Sequence, residues 1–198
     1  IKPRNTLNQH GKPIPLPKGV DGLIMGAALG VVMGKQATRV KEEEALDYVQ
    51  GYTVVNDVSI FHDSFYRPAV KYLARDGFCP IAMDMVERKL VGNPDNLPIR
   101  LWINGQLRQE NNTSNLIRPV SRLIADVSQF MTLFPGDILL VGVPEGAPKA
   151  FVNDRVHIEI DGVGYLENII LPEEKCWDVL SDEEYQDEKT ENPETGMG

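Results

Sequence analysis

Apolar positions along the chain follow two periods, and the period of two dominates. Residues 156–160, which alternate hydrophobic and polar side chains, and the apolar-rich 163–170 flank the turn pair Asp161-Gly162, which predicts a β-hairpin. Residues 99–103 and 106–109 do the same around Asn104-Gly105, the pair that a type I′ turn asks for. Residues 52–60 (YTVVNDVSI) and 138–143 (ILLVGV) read as further strands. The helical period is carried by Val120, Leu123, Ile124, Val127, Phe130 and Met131, which follow Pro119 and precede the stop at Pro135-Gly136-Asp137. A shorter helix is predicted over 41–50 (KEEEALDYVQ), with acidic residues in its first turn, Ala45, Leu46 and Val49 on one face, and Gly51 after it. Residues 2–19, with Pro13, Pro15 and Pro17, exclude a helix and predict an extended segment lying over the fold.

The run GLIMGAALGVVMG at 22–34 places glycine at every fourth position: Gly22, Gly26, Gly30 and Gly34. Such spacing marks packed membrane helices, but a spanning helix needs about 20 apolar residues and this run is closed by Asp21 and Lys35. As a soluble helix it would lose about 1 kcal/mol per glycine relative to alanine, and Val31-Val32 favours a strand. The run therefore predicts a buried strand. With strands outnumbering helices and hairpins frequent, the expected class is mainly β (α+β), with a few short helices and largely antiparallel pairing.

Composition changes this picture at the C-terminus. The formal charge of −9 is concentrated in 173–198, which hold ten acidic and two basic residues, so 1–172 are nearly neutral. The expected organisation is one domain over 1–172 and an acidic tail over 173–198 that cannot bury enough surface to hold itself unless Trp177 and Leu180 dock. Without a basic stripe nucleic acid is not an expected partner, and without a long apolar run neither is a membrane. Cys79 and Cys176 form no CxxC pair and read as reduced thiols; together with the lack of a signal-peptide pattern they lead to the expectation of a cytoplasmic protein. Cys79 reads as a packed small residue, with no histidine beside it in sequence to make it a nucleophile. GVPEGAPK lacks the GK[ST] ending of a phosphate loop.

Six stretches in order, VVMGKQATRV, GYTVVND, FYRP, RDGFCP, LWINGQLRQ and PGDILLVGVPEG, resemble the fumarylacetoacetate hydrolase family over residues 1 to about 171. IKPRNT, FYRPAVK and RDGFCPI are most similar to the branch that isomerises and decarboxylates intermediates of homoprotocatechuate (4-hydroxyphenylacetate) breakdown. In that branch two copies of the fold are joined in tandem or made as two subunits, and this chain resembles the N-terminal copy standing alone. The resemblance implies a mixed β-roll or sandwich, chemistry on small 2-oxo acids, and an Mg²⁺ or Mn²⁺ ion held by a Glu-x-Glu pair on a strand plus a later Asp. Such an ion would take up enolate charge during decarboxylation or proton transfer.

Aligned on the family's GK, the two Glu positions fall on Gly26 and Ala28, while the third ligand position, in GYTVVND, falls on Asp57. A lysine three residues before the aspartate of the turn is replaced by Leu73, and the threonine of the G-T-P turn by Val143. The resemblance thus implies a chain that needs no cofactor of its own and has little activity alone. It would be a homo-oligomer, or a hetero-oligomer with a homologous active subunit. The alternatives are an active isomerase or decarboxylase of the same class, with a site rebuilt from carboxylates elsewhere or with isomerisation by acid–base residues alone, and a module that binds an oxo acid through Arg67 and Arg75 without transforming it. Asp57 reads either as a surviving ligand or as an ordinary strand-end carboxylate, and His62 with Asp63 as a replacement metal site or a solvated loop. Arg67 and Arg75 read as grips for an anionic substrate or as partners of Asp63 or Asp76. Lys2 and Arg4 lie in a stretch that runs near the family's pocket entrance, with a solvated lysine as the bland reading.

Overall fold

The computed structural model describes residues 1–63 and 69–176. Thirteen strands and the α-helices named below occur among them, with a further helical segment at 173–176. In chain order the strands are β1 (Leu7–Gln9), β2 (Ile14–Leu16), β3 (Leu23–Ile24), β4 (Ala27–Met33), β5 (Val49–Asn56), β6 (Cys79–Ile81) and β7 (Val86–Glu87). They continue with β8 (Pro98–Ile103), β9 (Gln106–Asn112), β10 (Ile138–Leu140), β11 (Lys149–Ala150), β12 (Arg155–Ile160) and β13 (Gly164–Pro172). The helices are α1 (Val70–Leu73) and α2 (Val120–Ser128).

One sheet runs β1-β6-β5-β4-β10 with β7 also on β5, and a second runs β2-β13-β12-β8-β9. Strands β4 and β5 of the first pack against β8, β12 and β13 of the second, giving the expected sandwich of mixed sheets. Alternate residues supply the core: Ala27, Leu29, Val31 and Met33 from β4 meet Leu101, Val156, Ile158, Leu166 and Ile170 from the second sheet. Ala28, buried beside its cross-strand partner Val55, lies on the opposite face of β4.

The glycine-rich run is a strand, broken at Met25-Gly26 between β3 and β4. Its glycines mark close approaches within a sheet. A Cβ on Gly30 would come within 2.7 Å of Val55 Cγ2 and 3.0 Å of both Ile138 Cγ2 and Thr53 Cγ2, so neighbouring side chains fill the space it leaves. Both hairpins form. At the tip of β8–β9 the residues Asn104 and Gly105 take φ of 53° and 76°, as a type I′ turn requires.

Three expectations need correction. Residues 2–19 do not lie over the fold: β1 pairs parallel with β6 and β2 parallel with β13, so the segment is woven into both sheets. The short helix predicted at 41–50 forms as a 3-10 helix over Glu42–Tyr48 but ends earlier than expected, the chain being already in β5 at Val49, before Gly51. α2 ends at Ser128, short of the predicted pattern, and Phe130 and Met131 stand exposed in the turn that follows. The tail beyond residue 176, with Trp177 and Leu180, lies outside the described residues. Among the described residues no helix is long and apolar enough to cross a membrane.

Candidate functional site

The positions singled out from the sequence meet at the end of β5. Asp57 follows the last residue of that strand and donates its backbone N–H to the Gly26 carbonyl at 2.8 Å. Asn56, fully buried, accepts the Gly26 N–H on its Oδ1 at 2.9 Å and so fixes the break between β3 and β4. A Cβ built on Gly26 would lie 2.5 Å from the Asp57 carbonyl oxygen and 2.9 Å from Val143 Cγ2. Gly26, Asp57 and Val143, 117 positions apart at the extremes, are therefore direct neighbours. Ala28 stands two residues along β4, opposite Val55.

The residue that organises this point is Lys2. Its Nζ lies 2.9 Å from Asp57 Oδ1 and donates to the carbonyls of Val58 at 2.8 Å, Leu73 at 2.7 Å and Phe78 at 3.0 Å. An ammonium has three N–H donors, and all three are aimed at carbonyls. Asp57 Oδ1 consequently meets the cation as a charge contact while remaining a buried oxygen without a directed hydrogen bond among the described residues. Leu73, at the position of the family's lysine, contributes its backbone carbonyl rather than a side chain. Burial pushes the neighbouring Cys79 thiol up to about 11, the Lys2 charge opposing this and the Asp57 charge adding to it.

The remaining candidates fall elsewhere. Arg75 pairs with Glu173 at 3.6 Å, both side chains about one third exposed, while Asp76 accepts from Asn5 Nδ2 at 2.6 Å. Arg67 lies outside the described residues. The His62 ring stacks on Tyr72 with centroids 4.8 Å apart, Asp63 is exposed, and no group of three His, Cys, Asp or Glu side chains in metal-binding geometry occurs among the described residues. Arg4 is exposed at the rim of a cleft of about 770 Å³ that Asn8, Lys12, Asp76 and Cys176 also line; Asp57, Gly26 and Val143 do not line it. A second cleft, about 550 Å³, includes Val143 beside Thr113, Leu116 and Ile117, and so adjoins the Gly26 corner.

Sequence reasoning leaves Lys2 as a solvated lysine near a pocket entrance, yet it is only 12% exposed. The one local signal is Pro3, which restricts the residue before it to extended backbone and so gives the side chain a defined direction.

Comparison with known proteins agrees with this fold. The family model "Fumarylacetoacetate (FAA) hydrolase C-terminal" matches residues 1–171. The homoprotocatechuate catabolism bifunctional isomerase/decarboxylase of Escherichia coli is 44% identical over 173 residues, 87% of this chain and 39% of that protein, so the chain spans about two fifths of the relative's length. Among solved structures, 5-carboxymethyl-2-hydroxymuconate delta-isomerase from Mycobacterium smegmatis superposes with a TM-score of 0.81 at 32% identity, covering 86% of this chain and 67% of that one. Maleylpyruvate hydrolase from Sphingobium sp. SYK-6, in complex with manganese (II) ion and pyruvate, gives 0.79 at 33% identity, covering 86% and 63%. Shared fold, ordered motifs and a match over 1–171 lead to one conclusion: the chain belongs to the fumarylacetoacetate hydrolase family.

Proposed function

We propose that this chain is a metal-poor copy of the fold within an isomerase/decarboxylase of homoprotocatechuate breakdown, acting on unsaturated 2-oxo dicarboxylic acids in company with a homologous copy that carries the Glu-x-Glu pair. The similarity to the E. coli bifunctional isomerase/decarboxylase supports the substrate class. One observation carries the rest: the carboxylate at the family's third ligand position already faces an ammonium, Lys2 Nζ, at 2.9 Å. A hard divalent ion asks for several oxygen ligands and gives up its water reluctantly. The aligned positions offer Gly26, Ala28 and one neutralised carboxylate, which do not fit Mg²⁺ or Mn²⁺. The role left to the chain is structural, completing the packing of an active partner.

The test is elemental analysis of the dialysed chain followed by turnover assays with and without an active homologous subunit carrying the Glu pair. The expected result is well under one equivalent of Mg²⁺ or Mn²⁺, negligible decarboxylation alone, and a higher rate of the partner in the mixture. Stoichiometric metal, or full turnover by the isolated chain, overturns the proposal. Isomerisation without metal would instead favour acid–base chemistry on this chain.

A further inference from the structure

We propose that Lys2 is a tethered counter-cation: its Nζ fills a four-oxygen cage made by the Asp57 carboxylate and the Val58, Leu73 and Phe78 carbonyls, and latches three chain segments together there. The cage is an all-oxygen site of the kind that hard cations occupy. Its contacts, at 2.7 to 3.0 Å, come from residues 55 to 76 positions away in sequence: the stretch just after β5, the C-terminal end of α1 and the approach to β6. Two backbone hydrogen bonds join the same segments, Val58 N–H to the Phe78 carbonyl at 3.1 Å and Ile60 N–H to the Tyr72 carbonyl at 3.0 Å, and the ammonium adds the one contact shared by all three.

Charge selects the occupant. The cage contains one carboxylate and three neutral carbonyls, so a single positive charge balances it and a second would be left over. Covalent attachment through an extended Lys2-Pro3 backbone spares the ammonium the translational entropy that a free ion loses on binding, which favours it over free monovalent ions. Arginine would not substitute, because a planar guanidinium cannot direct three donors to a pyramidal set of acceptors. With the side chain removed, four inward-facing oxygens lose the cation they share, and a small free cation regains access to them.

This inference rests on the metal-poor reading of Asp57, but the two fail separately. The experiment compares thermal unfolding of the full chain with its Lys2→Ala and Lys2→Arg variants in choline chloride, ammonium chloride and methylammonium chloride at equal ionic strength. Lys2→Ala is expected to melt roughly 5 to 10 °C lower in choline. Ammonium and methylammonium should restore much of that loss saturably, and Asp57→Asn in the Lys2→Ala background should abolish the recovery. Lys2→Arg should stay destabilised despite its charge. If Lys2→Ala does not fold in choline, refolding yield in ammonium against choline reads the same effect. An unchanged melting temperature, equal behaviour in choline and ammonium, or recovery by Mg²⁺ in place of ammonium overturns the inference. Stoichiometric Mg²⁺ in the unmutated chain would overturn the functional reading instead.

Discussion

An added methyl group at Gly26 would sit 2.5 Å from a backbone oxygen, the Asp57 carbonyl, and 2.9 Å from Val143 Cγ2. Backbone cannot rotate out of the way as a flexible side chain can, and the Asn56 side chain pins the Gly26 N–H from the other direction. Gly26→Ala is therefore expected to destabilise the chain by about 1 to 3 kcal/mol through overpacking, measured by urea unfolding. Gly92 provides the control: a Cβ placed there would meet nothing within 4 Å and its φ is not positive, so Gly92→Ala should leave the midpoint unchanged or slightly raised. Equal losses at both positions would show that the Gly26 corner is loose. The same crowding means that writing the Glu pair back at positions 26 and 28 requires moving Asp57, not only adding carboxylates.

Elements that depend on distant partners are held by a few buried polar groups. Asn168 of β13 is almost fully buried and its Nδ2 donates to the Gln9 and Lys12 carbonyls, each at 2.8 Å, so it pins the turn between β1 and β2 to the second sheet. Asn168→Ala would leave both acceptors without that donor, at a cost of about 2 kcal/mol, and hydrogen exchange at the Gly11 amide, which donates to Glu167, should accelerate. Unchanged exchange would mean the turn holds itself. This is also why the course of the first 19 residues is not legible in the sequence: β2 pairs with a strand more than 150 positions away, and nothing local records that pairing. The β8–β9 and β12–β13 hairpins are legible because turn chemistry and alternation are local. The helical period extends too far, to Phe130 and Met131, since periodicity alone does not say which apolar positions the core covers. At the site, ordered motifs bring out Gly26, Asp57 and Val143, which the structure makes neighbours. The Lys2 contact has no local signature beyond Pro3, because its acceptors lie 55 to 76 positions away and only the tertiary fold brings them to it.

For the molecule as a whole, the central sheet ties stability to alkaline pH. Tyr52 of β5 is buried with its hydroxyl lacking a partner among the described residues, and burial pushes its pKa up to about 12 from an ordinary 10, with Asp95 adding and Arg88 opposing. Cys79 at the start of β6 is likewise raised to about 11 from 9, again chiefly by burial. In both cases the folded state holds the proton more tightly than the unfolded chain does. Their neutral forms therefore contribute full stability below the unfolded values, and the contribution is lost as pH rises through 9 to 11 for the thiol and 10 to 12 for the phenol. A two-unit shift corresponds to about 2 to 3 kcal/mol per group, so unfolding free energy should be level near pH 8 and fall steeply above pH 9. Tyr52→Phe isolates one contribution: it removes a buried hydroxyl that has no partner among the described residues, so stability at pH 7 should hold or rise while the fall between pH 10 and 12 becomes shallower. Tyr52 pairs with Val31 on β4 and Val86 on β7 inside the same sheet that leads to Asp57, so its ionisation acts on the central sheet itself. Its loss should appear as a single cooperative transition by both fluorescence and circular dichroism, and a Tyr52→Phe profile parallel to the unmutated one would refute the assignment.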